Sequence, residues 1–379
     1  MTANSSYAAA GVDTRAGDLA VELMKEAVSA THGPGVLGGV GGFAGLFDVS
    51  FVKDYARPLL ATSTDGVGTK IAIAQALDRH DTIGQDLVGM VVDDIVVVGA
   101  KPLFMTDYIA CGKVVPERIA AIVTGIARAC AETGTALVGG ETAEHPGLMG
   151  ADDYDVAGAA VGVVEADRLL GAERVRDGDA VIAIASSGLH SNGFSLVRHI
   201  LSGAGIDYTD ASPDLGTTWG DALLEPTRLY TGQLVELLAN ERLGASVHSL
   251  SHVTGGGIAA NLARVLPRGS WVELDRSTWS PAPVFRVLSD LAGTSLESAE
   301  GTWNLGIGFF AVVSADAAAD VIAALGELGH PAWQAGVASV STGQAPGTGR
   351  APARDGDDWE QGAKGVDGGA VRLVGSYAG

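Results

Sequence analysis

The sequence predicts an α/β protein with layered strands and helices (α+β layers), divided into two domains. The chain has 379 residues, which fits two domains more naturally than one. Apolar strand segments alternate along it with helical segments of about 10–15 residues, a pattern typical of α/β or α+β layers. Hydrophobic residues make up 47% of the chain and aromatic residues only 6%, and glycine occurs 54 times, so we expect a core of small aliphatic side chains.

The first half of the chain contains clear helix and strand signals. Apolar positions 20, 23, 24 and 27 predict an amphipathic helix over 18–30, followed by a glycine-rich segment at 32–48. That segment contains G-x-G-x-x-G, but it follows a helix rather than a strand, so it does not indicate a dinucleotide fold. The remaining elements are predicted as strands at 58–64, 135–141 and 154–166, and helices at 70–77, 82–98 and 116–134.

The second half repeats this style. A turn at 174–179 leads to a strand at 180–185 and a helix from Phe194, and 248–266 contains a glycine-rich helix start. The segment 341–369 is rich in Gly, Pro, Asp and Ala without periodicity, and 370–376 is a possible edge strand. We place the domains at 1–170 and 171–340, followed by a flexible segment at 341–379.

Composition excludes several function classes. The formal net charge of -21 argues against a nucleic-acid partner, because such proteins present a concentrated basic face. No apolar run reaches the length of a membrane span and the N-terminus lacks a signal-peptide pattern, so we expect a soluble cytoplasmic protein. Cys111 and Cys130 are too few for a zinc site or a disulfide framework.

Three carboxylates follow or interrupt buried segments beside glycines. Asp65 ends the predicted strand at 58–64, and Glu141 follows two glycines at the end of another strand. Asp94 shares an apolar stripe with Leu87 and Met90, which predicts a buried carboxylate. A buried carboxylate is either paired internally or bound to a cation, and Mg²⁺ takes one or two carboxylates together with phosphate oxygens.

The stretch "TDGVGTK" at 64–70 resembles a phosphate loop without matching the Walker pattern. Gly66 to Thr69 form the predicted turn from strand to helix, where backbone N–H groups can bind phosphate. Lys70 is either a phosphate partner or a solvated lysine of the first helical turn.

A second group of polar residues lies in "SSGLHSNG" and "HVTGGG". His190 and Asn192 sit between a strand and a helix, the place where ligands bind in α/β layers. An imidazole there can act as an acid or base near neutral pH, although a loop histidine is as often only a hydrogen-bonding group. His252, before the second glycine run, has the same two interpretations.

Together the motifs resemble one enzyme family. The segments "GVGGFAGLFD", "STDGVGTK", "VGGETAEHPG", "DYDVAGAAVGVVE", "SSGLHSNGFSLVR", "LLEPTRLY" and "HVTGGG" occur in the order and approximate spacing of the phosphoribosylformylglycinamidine cyclo-ligase (AIR synthetase) family. The resemblance covers roughly residues 6–340. It implies a two-domain AIR-synthetase-like fold, with an N-terminal mixed sheet and helices that form a homodimer interface, and a C-terminal α/β domain.

The resemblance also implies the reaction. Formylglycinamidine ribonucleotide would be cyclised to aminoimidazole ribonucleotide in purine biosynthesis, with ATP converted to ADP and phosphate and with Mg²⁺ as cofactor. Positioning and charge stabilisation at the phosphoryl group should dominate such a reaction.

Site residues follow from the same resemblance. The nucleotide would be bound by Gly41, Gly42, Asp65, Gly66, Gly68, Thr69, Lys70, Asp107 and Glu141, with Asp65, Asp94 and Glu141 as metal ligands. The substrate would contact Ser187, His190, Ser191, Asn192, His252 and Thr254, and the catalytic residues would be His190, Lys70 and Asp94.

Some positions depart from the family pattern. Asp93 precedes Asp94 where an Asn-Asp pair is usual, and Gly301 and Trp303 replace an arginine and a phenylalanine. If that arginine contacts substrate, another cation must substitute for it. The alternatives are a sister ATP-dependent enzyme of the same superfamily, or a nucleotide-binding member without catalytic activity.

Overall fold

The computed structural model describes residues 14–39, 41–340, 359–362 and 365–378. The described residues form two compact units. One contains the described residues up to Ile95 together with Lys101–Ala166, and the other contains Val96–Ala100 and the described residues from Asp167 onward. Within the described ranges, no helix is long and apolar enough to cross a membrane.

The first unit contains a four-stranded sheet, a short hairpin and several helices. Its helices are α1 (Thr14–Ala30), α2 (Ile71–Leu77), α3 (Ile83–Val96, whose last residue groups with the second unit) and α4 (Pro116–Glu132). Its strands are β1 (Val36–Leu37), β2 (Leu46–Phe47), β3 (Pro58–Gly66), β4 (Lys101–Cys111), β5 (Ala136–Glu144) and β6 (Tyr154–Glu165).

The sheet has the order β3-β6-β4-β5. Because β4 and β5 run parallel while the other neighbours are antiparallel, the sheet is mixed, which confirms the predicted N-terminal mixed sheet. Helix α3 packs against it: a Cβ at Gly158 of β6 would meet Leu87 and Met105. Helices α3 and α4 touch through glycine, since a Cβ at Gly84 would lie 2.1 Å from the backbone nitrogen of Ile126.

The second unit is built on a seven-stranded sheet. Its strands are β7 (Ala180–Ala185), β8 (Ala211–Ser212), β9 (Thr217–Thr218), β10 (Val247–His252), β11 (Ser270–Asp275), β12 (Ile307–Val313), β13 (Ala332–Val340), β14 (Glu360–Gln361) and β15 (Ala370–Val374). Its helices are α5 (Phe194–Ala204), α6 (Trp219–Leu223), α7 (Thr231–Ala239), α8 (Glu241–Ser246), α9 (Gly257–Ala263), α10 (Pro283–Ala292), α11 (Leu296–Ala299) and α12 (Ala318–Glu327).

The order of this sheet is β10-β12-β7-β13-β11-β15-β14. The central strand β7, "AVIAIA", is buried along almost its whole length, as expected for a strand covered on both faces. Helices α7 and α12 contribute to a core with β7 and β12 that includes Leu234, Val321 and Phe309. Strands and helices are therefore layered in both units, which confirms the predicted fold class.

Strand β4 has no counterpart among the sequence predictions. Its residues Met105, Ile109 and Cys111 are buried while Thr106 and Tyr108 are exposed, so its alternation is clear in the structure. This strand joins β5 to β6 in the middle of the sheet and carries Asp107.

Candidate functional site

Two of the predicted carboxylates lie in one row across the first sheet. Asp65 of β3 pairs with Gly158 of β6, Gly158 pairs with Asp107 of β4, and Asp107 pairs with Gly140 of β5. Directly paired residues point to the same face of a sheet, so both carboxylates face the helix side. They are two strands apart, about 10 Å between backbones, and the side chain of Met105 occupies the space over Gly158 between them.

Asp107 is buried and Asp65 is exposed. Only 9% of Asp107 is accessible, and its carboxylate leans over Gly140, where a Cβ would lie 2.2 Å from Oδ1. Burial raises the pKa of Asp107 to about 7, because the charged form is poorly solvated there. Asp65 lies at the edge strand, where its Oδ1 accepts the backbone N–H of Gly66 at 2.8 Å. Of the two carboxyl groups in this row, Asp107 is therefore the one that changes its protonation state near neutral pH.

The prediction that Asp94 is buried was wrong. Asp94 is exposed, whereas its neighbour Asp93 is fully buried. Successive helix residues are turned by about 100°, so two adjacent aspartates cannot share one environment. Because α3 is packed around most of its circumference, the sequence period did not reveal that position 94 lies in the remaining gap.

Glu141 points to the other face of the sheet. It pairs with Tyr108, the residue after Asp107, and side chains alternate along a strand. The predicted trio of metal ligands Asp65, Asp94 and Glu141 is therefore not gathered at one point. Among the described residues, no group of three His, Cys, Asp or Glu side chains is placed to hold a metal ion.

Lys70 is not the solvated lysine that was one of its two interpretations, and its role as a phosphate partner stays a prediction. Its side chain is fully buried, and Nζ donates to Oδ1 of Asp86 on α3 at 2.8 Å. Breaking such a buried pair is strongly destabilising, because it leaves an uncompensated charge. The pair attaches the "DGVGTK" turn to α3. Gly68 within that turn has φ +75°, a backbone conformation that favours glycine.

The glycine-rich segment forms a hairpin beside β5. Strands β1 and β2 pair through Val36 and Phe47, and a Cβ at Gly45 would lie 2.5 Å from the carbonyl oxygen of Val138. The hairpin therefore contacts β5 at Val138, two residues before Gly140, while Gly41, at φ +103°, and Gly42 in the same hairpin are exposed. A cavity of about 510 Å³ lies at the base of this hairpin, and its lining includes His32, Phe47, Phe51, Tyr55 and Lys101.

His190 is held inside the "SSGLHSNG" loop rather than displayed on it. It is 2% exposed, adopts φ +59°, and its Nε2 lies 3.2 Å from the backbone nitrogen of Ser187. Because that amide must donate, Nε2 is the acceptor and the proton of the neutral ring is on Nδ1. His190 therefore fixes the conformation of its own loop.

The same loop is attached to the "EPTRLY" segment. The hydroxyl of Ser187 donates to the carbonyl oxygen of Pro226 at 2.7 Å, and Ser191 Oγ lies 3.1 Å from Thr227 Oγ1. These bonds connect the "EPTRLY" segment to two predicted substrate residues, Ser187 and Ser191. The sequence contained this segment as a motif, but it gave no role for Thr227.

The "HVTGGG" segment adjoins this loop. A Cβ at Gly255 would lie 3.4 Å from Oδ1 of Asn192, so the two loops are in contact. His252 is buried and its ring stacks on Phe309 with centroids 5.2 Å apart. The carbonyl oxygen of Thr254 accepts the side-chain amide of Asn261 at 3.0 Å. The structure thus brings together the substrate residues that the sequence predicted in two separate motifs.

Similarity to known proteins covers nearly the whole chain. The family model "AIR synthase related protein, N-terminal domain" matches residues 50–164, and the corresponding C-terminal domain model matches 176–345. A phosphoribosylformylglycinamidine cyclo-ligase of Geobacillus kaustophilus is 47% identical over 348 residues, which cover 91% of this chain and 99% of that protein. One of Sorangium cellulosum is 48% identical over 344 residues, covering 90% and 97%. The chain belongs to the phosphoribosylformylglycinamidine cyclo-ligase family.

Solved structures share the fold of this family member at low identity. A thiamine-monophosphate kinase of Stenotrophomonas maltophilia matches with a TM-score of 0.60 and 17% identity, covering 94% of this chain and 97% of that one. The hydrogenase maturation protein HypE in complex with ATP matches with a TM-score of 0.59 and 17% identity, covering 88% of each chain. These likenesses concern the fold alone.

The sequence analysis assigned no role to one loop that contacts both loops with predicted substrate residues. The 300–306 loop, Glu300 to Gly306, meets "SSGLHSNG" where a Cβ at Gly193 would lie 2.5 Å from the Trp303 ring and where Asn304 Nδ2 donates to the carbonyl oxygen of Gly188 at 2.8 Å. It meets "HVTGGG" where a Cβ at Gly257 would lie 1.8 Å from the carbonyl oxygen of Glu300. In the sequence the loop stood out only by its departures at Gly301 and Trp303. Gly301 is exposed, and a Cβ there would meet nothing within 4 Å.

Proposed function

We propose that this chain catalyses the ATP-dependent ring closure of formylglycinamidine ribonucleotide to aminoimidazole ribonucleotide, a step of de novo purine biosynthesis. Membership of the cyclo-ligase family along nearly its full length carries the proposal. The two groups of predicted site residues support it, because each unit assembles a polar, glycine-rich loop system suited to one of the two substrates.

The reaction balances without a covalent enzyme intermediate. The formyl amide oxygen attacks the γ-phosphorus of ATP, and the bond to ADP breaks. The amidine nitrogen then attacks the activated carbon, the carbon–oxygen bond breaks, and phosphate leaves with that oxygen as a proton is lost from the nitrogen. The protein's task is to hold the two substrates in line and to stabilise the charge that develops.

We assign ATP to the first unit. The hairpin that carries Gly41 and Gly42 contacts β5 through Gly45 and Val138, and the Gly66–Thr69 turn offers backbone N–H groups close to Asp65.

Mg²⁺ would accompany the nucleotide and neutralise charge on its phosphate oxygens. Such an ion needs only one or two protein carboxylates, which fits the separate placement of Asp65 and Asp107 better than a three-carboxylate cage. Asp107 supports this assignment because burial raises the pKa of its carboxyl, and a bound cation would stabilise the charged form that burial disfavours. Asp94 and Glu141 are exposed and remain candidates as ligands.

We assign formylglycinamidine ribonucleotide to the loops of the second unit. Ser187, Ser191 and Asn192 lie on one loop and Thr254 on the adjoining one, and Asn192 contacts the backbone of the second loop. The neutral His190 ring carries its proton on Nδ1, so it suits a role in orienting the loop or in donating a hydrogen bond from Nδ1–H.

The protein would act as a homodimer. The face of the first sheet opposite the helices exposes apolar side chains, with Leu60 70% and Tyr108 43% accessible. An apolar sheet face of this kind marks an interaction surface. Sedimentation equilibrium of the full chain would test this, and a monomer at micromolar concentration would contradict it. A cytoplasmic location stays a prediction.

The proposed reaction is tested by measuring ADP release from ATP and Mg²⁺ with and without formylglycinamidine ribonucleotide. We expect ADP only with that substrate, in a one-to-one ratio with aminoimidazole ribonucleotide. Nucleotide binding without turnover would favour a non-catalytic member, and ADP release with another acceptor would favour a sister enzyme.

Three variants test these residue assignments. Asp65→Asn should weaken the use of Mg-ATP more than Asp94→Asn, because Asp65 adjoins the glycine turn; equal magnesium dependence in all three proteins would remove both as ligands. His190→Ala should lower turnover with little change in ATP affinity, and normal turnover would defeat its assignment.

A further inference from the structure

The C-terminal segment Gly375–Ala378 packs against the 300–306 loop. This segment follows β15, which runs parallel to β11 and continues the sheet of the second unit. It lies beyond residue 345, where the match to the C-terminal family model ends. The sequence motifs predict no function for this part of the chain.

The 300–306 loop is hydrogen-bonded to both proposed substrate loops. The backbone N–H of Ile258, in the first turn of α9, donates to the carbonyl oxygen of Glu300 at 3.1 Å. A Cβ at Gly257 would lie only 1.8 Å from that same oxygen, so the two backbones are in direct contact. Asn304 Oδ1 accepts from the hydroxyl of Ser186 at 3.2 Å, which links the loop to the start of "SSGLHSNG". A shift of Glu300 would therefore be transmitted to both loops.

The Glu300 side chain is fixed by two partners on its other side. Arg276 donates to both carboxylate oxygens, from Nε at 2.6 Å and from Nη2 at 2.8 Å. The hydroxyl of Tyr377 donates to Oε1 at 2.6 Å. Both members of the ion pair are 14% exposed, so these charge-assisted bonds are better shielded than a surface pair.

Tyr377 is itself held in place by its ring and by its neighbour in the chain. The ring packs edge-on against Trp279 with centroids 5.2 Å apart, and the Arg276 guanidinium lies 5.8 Å from its centroid. The carbonyl oxygen of Ala378 accepts from Arg286 Nη2 and from Ser280 Oγ, each at 2.8 Å, and its N–H donates to the Trp279 carbonyl oxygen at 3.1 Å. The segment is thus a fixed part of the second unit.

We propose that the C-terminal segment Gly375–Ala378 is a positioning element of the substrate site, in which Tyr377, acting through Glu300, holds the 300–306 loop against the two glycine-containing substrate loops. This inference rests on the proposed function for the identity of the substrate. Tyr377 is a positioning residue, because it acts through its hydrogen bond to Glu300.

Tyr377→Phe is the direct test, because it removes only the hydroxyl that donates to Glu300 and keeps the ring against Trp279. We expect about a three- to tenfold rise in KM for formylglycinamidine ribonucleotide, the size expected from one lost hydrogen bond, while KM for ATP stays unchanged. Ser376→Ala is the matched control, since Ser376 is exposed and adjacent in the same segment. A rise in both KM values, or in neither, would overturn the proposal.

Hydrogen exchange gives a readout that does not depend on activity. In Tyr377→Phe, exchange should become faster in peptides that contain Ile258 and Ser187, and should stay unchanged in peptides of the first unit. If these rates change but the wild-type protein does not turn over formylglycinamidine ribonucleotide, the proposed function fails and the positioning role stands. Unchanged exchange at Ile258 and Ser187 would refute the positioning role whatever the activity.

A double-mutant cycle tests whether Tyr377 affects substrate binding through its bond to Glu300. Glu300→Gln keeps the shape of the side chain and removes its charge. Because both variants weaken the same bond, their effects on KM should be less than additive when Tyr377→Phe and Glu300→Gln are combined. Full additivity would show that Tyr377 acts by some other path and would overturn the proposal.

Discussion

Asp107 offers a quantitative test of the first unit, because replacing it with asparagine should stabilise the protein. The side chain is buried, and burial raises the pKa of its carboxyl from the ordinary value of 3.8 to about 7. Each pKa unit is worth about 1.4 kcal/mol, so above pH 7 the ionised carboxyl lowers the free energy of unfolding by about 4 kcal/mol. Asparagine has nearly the same shape and carries no charge.

The sign and pH window follow from proton binding. Between pH 3.8 and about 7 the unfolded chain has released a proton that the folded protein still holds at Asp107. The contribution of this group to stability therefore falls as pH rises through that window and is level above it. Asp107→Asn should gain little near pH 4 and most of the 4 kcal/mol, as an upper limit, at pH 8. Local relaxation and water entry reduce the full value.

Urea unfolding of the ligand-free protein at pH 5 and pH 8 measures this difference. Asp65→Asn is the matched control, because Asp65 lies in the same row across the sheet but is exposed, and no stability gain is expected there. If Asp107→Asn does not raise the free energy of unfolding, or raises it equally at both pH values, the raised pKa of Asp107 cannot be assigned to burial.

The same variant tests whether the retained carboxyl serves the nucleotide. If Asp107 interacts with a magnesium-bound phosphate, wild-type protein should release a proton on binding Mg-ATP near pH 7, because a nearby cation favours the charged carboxylate. Asp107→Asn should bind Mg-ATP more weakly and release no such proton. Calorimetry in two buffers of different ionisation enthalpy measures the released proton directly.

Three further variants test the tertiary contacts. Burial lowers the pKa of His330 to about 4. As pH falls from 6.5 to 4, the unfolded chain therefore binds a proton that the folded protein does not, and this lowers the free energy of unfolding. His330→Phe should reduce the fall of the thermal midpoint over that pH range. Lys70→Met should lower the free energy of unfolding by about 3–5 kcal/mol, and adding Asp86→Leu should recover part of it in urea titrations, since the second change removes the unpaired charge. Gly257→Ala should raise KM for formylglycinamidine ribonucleotide sharply, because φ there is +76° and a Cβ would overlap a backbone oxygen, whereas Gly301→Ala should leave it unchanged.

The family and the layered fold were available from the sequence alone. Strand β7 reads as a short apolar run, and α4 begins at Pro116 and is followed by Gly134, which are local signals that do not depend on distant contacts. The separate motifs also indicated two loops, "SSGLHSNG" and "HVTGGG", that the fold brings into contact, because a turn between a strand and a helix places backbone and polar side chains at the edge of a sheet. Local chemistry is sufficient for such predictions.

The environment of each carboxylate and lysine was decided only by tertiary structure. Asp93 and Asp94 are neighbours in the sequence, yet packing on several sides of α3 buries the first and exposes the second. Lys70 meets Asp86 because the turn after β3 folds against α3, a partner that spacing along the chain does not indicate.

The contact that we propose to support the substrate site likewise depends on the tertiary structure. Glu300 lies more than 75 residues from Tyr377 in the sequence, and their bond forms because β15 joins the sheet beside β11 and returns the C-terminal segment to the 300–306 loop. Sequence periodicity reports how a residue relates to neighbours within one helix or strand. Which distant side chain satisfies a buried charge depends on how those elements pack, and that information is present only in the three-dimensional arrangement.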